Sequence, residues 1–189
     1  MKRRDLYHTS TRGVASIERQ CTLAPVIDVR LCIASLDVAG ARGERGEPDA
    51  SDSVRVMRAL AQRLAAAGHV KPTFELAALA RERRSPTGLP FPGCAVAMPH
   101  AEPEHVVTSA IALASLATPV RFRQMGAPAT ELDVRLVVMP AFTAKEQAAA
   151  SLGRLVTLLQ DAALRDELAS ATSAEAMHAA LARAHHWEP

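Results

Sequence analysis

The residues best suited to chemistry fall in one stretch, residues 81–106, which reads RERRSPTGLPFPGCAVAMPHAEPEHV. His100 is its centre. The apolar run before it, residues 94–98, has the make-up of a short strand. Pro99 cannot continue a strand ladder, because it lacks an N–H. His100 therefore falls where a strand ends and a loop begins, a place where a rigid scaffold holds functional side chains. An imidazole has an ordinary pKa of about 6.5 and is largely neutral near pH 7. Its free ring nitrogen is a good nucleophile toward phosphorus, and a phosphoryl group held there stays transferable. Such a transfer passes through a loose, in-line transition state, for which the protein supplies position and positive charge. Arg81 is the candidate cation. Thr87 and the backbone around Gly88 are candidate hydrogen-bond donors to phosphoryl oxygens. A histidine after a strand can equally be an ordinary hydrogen-bonding surface residue, and spacing alone leaves both readings open.

Neighbouring residues have plainer readings. His105 and Glu104 belong to a solvated loop containing Pro103. Glu102 reads as a surface charge with the option of orienting His100. Arg83 and Arg84 can form a complementary surface for an acidic partner, since charge mainly steers encounter. Cys94, His100 and His105 do not make a metal site, because a structural zinc needs four ligands at tight spacings. No metal or other cofactor is expected.

The elements that must position this stretch follow from periodicity. A strand is expected over residues 26–38, then a Gly- and charge-rich loop over 40–48. Ser51, Asp52 and Ser53 offer N-caps for a helix whose inward face is Val54, Met57, Leu60, Ala61 and Leu64, closed by Gly68. A short helix over 73–83 follows, with Phe74, Ala77 and Ala78 inward. Strands are expected at 94–98, 109–116 and 132–139, the last two being apolar runs bounded by Pro or Gly. A helix over 145–160 carries Leu152, Leu155, Val156 and Leu159 on one stripe. A helical piece over 161–169 comes next. Thr172 with Glu175 reads as a capping box for a last helix, whose Met177 and Leu181 face the core. Helices and strands interleave, so the fold class is α/β, a mixed β-sheet flanked by helices. Residues 1–24 read as a weakly ordered extension, 25–184 as the domain, and 185–189 as an exposed tail.

Bulk properties agree with one such domain. The chain has 189 residues, of which 49% are hydrophobic and only 3% aromatic, so Ala, Val, Leu and Ile must build the core. A net charge of +2 lacks the basic stripe of a nucleic-acid binder. Lys2, Arg3 and Arg4 read as a solvated terminus. The three cysteines, Cys21, Cys32 and Cys94, form no CxxC pair, and a reduced cytoplasmic setting is the simplest reading. No apolar run approaches the roughly 18–20 residues that cross a bilayer, and no signal peptide is evident.

The central stretch resembles the IIA components of the fructose–mannitol class of the bacterial sugar phosphotransferase system. In that family a helix ends in Arg-Glu, a Thr-Gly loop follows, and a short strand ends in Ala-Ile-Pro-His. Here these stand as Arg81-Glu82, Thr87-Gly88 and Ala97-Met98-Pro99-His100. The resemblance implies a mixed sheet flanked by helices and a cytoplasmic phosphoryl carrier. It implies that His100 accepts the phosphoryl group from the phosphocarrier HPr, that Arg81 supports it, and that a IIB component receives it. Thr87-Gly88-Leu89-Pro90 and Pro103-Glu104-His105-Val106 look like the galactitol-type branch. A regulatory protein that controls a partner through its phosphorylation state is the alternative. Many members carry a second histidine near the start of the helix after the last long strand. This chain reads Phe142-Thr143-Ala144-Lys145-Glu146-Gln147 there, with Glu146 or Gln147 in the approximate place. A Glu146 facing His100 would raise the imidazole pKa and repel a phosphoryl group.

Overall fold

The computed structural model describes residues 28–38, 51–143 and 145–184, without the side chains of residues 145–148. The expectations for residues 1–24, for the loop over 40–48 and for the 185–189 tail lie outside the described residues, as does Cys21. The elements run β1 (Cys32–Leu36), α1 (Asp52–Ala66), α2 (Phe74–Arg84), β2 (Gly88–Leu89), β3 (Ala95–Ala97), β4 (Ala110–Gln124), β5 (Ala127–Ala141), α3 (Lys145–Leu158), α4 (Ala162–Ser170) and α5 (Ala174–Ala184). Five strands form one mixed sheet. β1 runs parallel to β4, and β4 pairs antiparallel with β5 along most of its length. β5 is parallel to β3, and β3 is antiparallel to β2. The expected α/β class, with helices on both faces of a mixed sheet, is the one observed.

Side chains along β4 alternate between two cores, as the period of a strand requires. Ala110, Ala112 and Ala114 face the layer of α1 and α2, with Val56, Met57, Leu60 and Leu64. Ile111 and Leu113 face the layer of α3, α4 and α5, with Leu155, Leu159, Leu168, Met177 and Leu181. The alanines let α1 lie close to the sheet. Each fully buried leucine or methionine contributes about 1.5–3 kcal/mol of transfer free energy. α1 ends in a reciprocal pair of backbone bonds, Gly68 N–H to the Ala65 carbonyl and His69 N–H to the Leu64 carbonyl. Gly68 holds the left-handed conformation this termination needs, at φ +78°.

Several boundaries differ from the periodicity reading, each for a local reason. β1 is shorter than the expected strand because Asp28 accepts the Arg30 N–H and turns residues Val29–Leu31 into a 3-10 turn. Ser51 stands at the N-cap of α1, but its hydroxyl pairs with the Ser53 hydroxyl and caps no backbone N–H. The cap of α5 is Ser173, whose hydroxyl accepts the Ala176 N–H at 3.1 Å, rather than Thr172. β4 and β5 run well past the expected strands. Pro119 and Pro128 do not end them, because each falls in a register irregularity where no ladder bond is required. The hairpin turns at Met125 and Gly126, the glycine at φ +78°. β2 has only two residues, too few for a periodic signal.

Gly88 sits at a tight point of the sheet. It pairs with Ala97 of β3 and meets Gln124 near the hairpin end. A Cβ added there would stand 2.6 Å from the Arg123 carbonyl oxygen and 3.2 Å from the Leu132 side chain. The oxygen belongs to backbone and cannot swing aside. Gly88→Ala is expected to cost about 2 kcal/mol, in the range of an overpacked core. A chemical denaturation midpoint equal to that of the parent would contradict this.

Candidate phosphoryl-acceptor site

His100 lies three residues beyond the end of β3, after Met98 and Pro99. Its Nδ1 is 2.8 Å from the Met98 carbonyl oxygen. A carbonyl can only accept, so Nδ1 carries the ring hydrogen in the neutral form. The lone pair is then on Nε2, the nitrogen that can act as nucleophile.

Around the ring is a hollow of about 140 Å³, lined by Arg81, Ala101, Glu102, Pro103, Pro140, Phe142, Ala149 and Leu152 besides His100. It lies beyond the carboxyl ends of β3 and β5, which are parallel, the usual place for ligands in open α/β sheets. Arg81 comes from the last turn of α2, and its Nε lies 3.3 Å from Glu102 Oε1. A phosphoryl group is small and needs no deep cavity.

Burial is the main cause that pushes the His100 pKa below the ordinary 6.5, and the Arg81 cation pushes the same way. The bond to the Met98 carbonyl and the Glu102 charge pull it back up. The net direction favours the neutral, nucleophilic ring. Below 6.5 the unfolded chain holds this proton more tightly than the folded one. His100 therefore withdraws stability as pH falls from 6.5 toward its folded value. The same depression predicts that phosphoryl acceptance falls on the acid side with a midpoint below 6.5. A rate profile whose midpoint lies above 6.5 would contradict this.

The sequence candidates are distributed unevenly around the hollow. His100 and Arg81 come together in it. Glu102 reaches the hollow as well, but it pairs with Arg81, and the orienting bond to His100 comes from the Met98 carbonyl. Thr87 is buried beside β3. Its hydroxyl donates to Glu82 Oε2 at 2.7 Å, so its one hydrogen is directed away from the hollow. The Gly88 backbone is engaged in sheet pairing, and its carbonyl accepts the Met125 N–H. The Glu146 side chain lies outside the described residues. α3 supplies Ala149 and Leu152 to the hollow. His105 is tied to Thr73, Nδ1 to Oγ1 at 2.9 Å, and its carbonyl accepts the Lys71 N–H, joining two loops. Arg83 and Arg84 are exposed on the last turn of α2. Among the described residues, no three His, Cys, Asp or Glu side chains cluster as a metal site would, and no helix is long and apolar enough to cross a membrane.

The residue that sequence reasoning passed over is Glu82. Its carboxylate takes both the N–H and the O–H of Thr87. The Arg81-Glu82 pair and the Thr87-Gly88 pair were both visible, but the bond between them appears only when α2 ends and the chain turns back.

A family model described as the phosphoenolpyruvate-dependent sugar phosphotransferase system, EIIA 2, matches residues 45–184. The chain belongs to this family. It is therefore a phosphotransferase-system component whose general work is phosphoryl transfer. Solved structures share the fold. A putative PTS IIA (PtxA) from Streptococcus mutans is 21% identical, with a TM-score of 0.63, over 84% of this chain and 90% of that one. The enzyme IIA of mannitol from Escherichia coli, solved in complex with phosphorylated enzyme IIB, is 22% identical with a TM-score of 0.61, over 84% and 98%. The crystal structure of IIA mannitol from the same organism gives 22% and 0.60, over 82% and 99%. A comparison with curated proteins returns no match.

Proposed function

We propose that this EIIA component carries the phosphoryl group on Nε2 of His100. The observation that supports the assignment is the 2.8 Å contact of Nδ1 with the Met98 carbonyl, which leaves the lone pair on Nε2 in a ring whose hollow Arg81 also lines. In the forward step Nε2 attacks phosphorus on a phosphohistidine donor. A new N–P bond forms, the donor's N–P bond breaks, and its electron pair returns to the donor ring. His100 keeps its Nδ1 hydrogen throughout. The phosphorylated ring is then cationic, with the Met98 carbonyl facing that charge. A cationic ring is a good leaving group, because it departs as neutral imidazole when the next acceptor attacks. Arg81 offsets charge on the phosphoryl oxygens.

The donor is an HPr-like phosphocarrier and the acceptor a IIB component, in the cytoplasm. A IIB partner is supported by the mannitol relative solved with its phosphorylated IIB. The sequence at residues 87–90 and 103–106 supports a galactitol-like system, and residues 25–184 form the working domain. Arg83 and Arg84 are exposed on the same last turn of α2 as Arg81, and their positive charge steers an acidic partner.

The test is incubation of the full chain with the phosphorylated carrier, followed by intact mass and fragment analysis. One added, acid-labile phosphoryl group on His100 is expected, lost when the IIB component is supplied. An unmodified chain, or label on another residue, would overturn the assignment.

A further inference from the structure

The Met98 carbonyl sets which nitrogen of His100 is free, yet Met98 lies one residue beyond β3. What holds Met98 therefore matters as much as what touches the ring. Its N–H has two acceptors, both on Thr87: the hydroxyl oxygen at 3.2 Å and the carbonyl at 3.4 Å. The carbonyl contact is long, so the hydroxyl is the better partner.

A threonine hydroxyl can donate or accept toward a neighbour, depending on where its hydrogen points. Here the choice is made by Glu82. Its Oε2 takes the Thr87 Oγ1–H at 2.7 Å, and its Oε1 takes the Thr87 N–H at 3.0 Å. With its hydrogen fixed on the carboxylate, Oγ1 turns a lone pair toward the Met98 N–H. Thr87 is 6% and Met98 4% exposed, which leaves little room for water to replace these bonds. Pro99 then fixes the backbone torsion between Met98 and His100.

We propose that Glu82 is a positioning residue: through Thr87 and the Met98 backbone, its carboxylate holds the His100 ring with Nε2 free. The role in transfer rests on the reading of His100 as phosphoryl acceptor, whereas the effect on the ring does not. Burial pushes the Glu82 carboxyl pKa up, and the two Thr87 bonds pull it back, so these bonds favour the charged form that the arrangement uses.

The test compares Glu82→Ala, Glu82→Gln, Thr87→Val, Thr87→Ser and the Glu82→Ala/Thr87→Val double variant with the parent. One readout is the nitrogen-15 spectrum of the His100 ring, which distinguishes its tautomers. The other is the rate of phosphoryl acceptance from the phosphorylated carrier. The parent ring is expected as the Nδ1–H tautomer. Glu82→Ala and Thr87→Val should each mix the tautomers and slow acceptance about tenfold, the scale of a misplaced reactive group. Thr87→Ser should restore the parent tautomer, and Glu82→Gln should fall between. The double variant should be no slower than either single one, because both break one path. An unchanged tautomer in Glu82→Ala and Thr87→Val would overturn the proposal. So would multiplied losses in the double variant. If Glu82→Ala does not fold, Thr87→Val, which keeps the volume, decides by the same criterion. If the parent accepts no phosphate at all, the functional reading fails while the ring spectra still decide the role of Glu82.

Discussion

His100→Ala is expected to lower phosphoryl acceptance by at least about a thousandfold, the scale of removing a nucleophile that nothing else can replace. The fold should survive. His100 is half-buried beyond β3, and its ring hydrogen bond goes to a backbone carbonyl, a bond whose loss costs about 1 kcal/mol. His105, the next histidine along the chain, cannot stand in, because its Nδ1 is bound to Thr73 and it is absent from the lining of the hollow. The measurement is transfer of label from the phosphorylated carrier, with circular dichroism and thermal unfolding run on the same samples. Label that persists on a folded His100→Ala chain would place the acceptor elsewhere.

Arg165→Ala should have the largest effect on stability, a loss of about 3 kcal/mol, as expected when charge-assisted bonds and packing are removed together. Arg165 is 2% exposed. Its guanidinium donates to the Leu159 carbonyl at 2.6 Å and to the Pro92 carbonyl at 2.9 Å, and lies 4.8 Å from the centre of the Phe91 ring. No carboxylate pairs with it among the described residues, and its Nε has no partner there. It thus bolts α4 to the connection between β2 and β3. Truncation removes the donor from the buried bond to the Leu159 carbonyl and from the half-buried bond to the Pro92 carbonyl, and leaves a gap the size of the side chain. Lysine should not rescue it, because one ammonium cannot span both carbonyls and lie flat on the ring. Urea unfolding checks this. A midpoint within error of the parent for Arg165→Ala would show that water replaces the guanidinium at little cost.

How much could be read beforehand depended on whether an interaction was local. His100 and Arg81 were legible because their chemistry is written into one continuous stretch, and the strand end before Pro99 follows from the missing N–H of proline. The α1 and α5 faces were legible because periodicity alone decides them. Arg165 was not, since a lone arginine on a short helix has the pattern of a solvated face, and only the Leu159 and Pro92 carbonyls reveal otherwise. The full length of β4 and β5 was hidden by Pro119 and Pro128, which read as strand ends unless the register shifts are known. Thr172 reads as a cap where Ser173 serves, a shift of one residue between two hydroxyl side chains with similar preference. Glu82 carries the same lesson at the site, where a known motif named the residue but only geometry gave its hydrogen-bond partners.

The β4–β5 hairpin also bears on the order in which the chain assembles. Its turn joins Gln124 to Ala127, so its ladder can close with almost no loop entropy. The parallel pairs bring together residues far apart in sequence, such as Cys32 with Leu113 and Val96 with Leu136. Those contacts have high contact order and form slowly. β3, with His100 beyond its end, would dock late onto a finished hairpin and open early. Native-state amide exchange should therefore be faster at Val96 and Ala97 than at Leu113 and Val138, so that the strand leading to His100 opens before the hairpin it rests on.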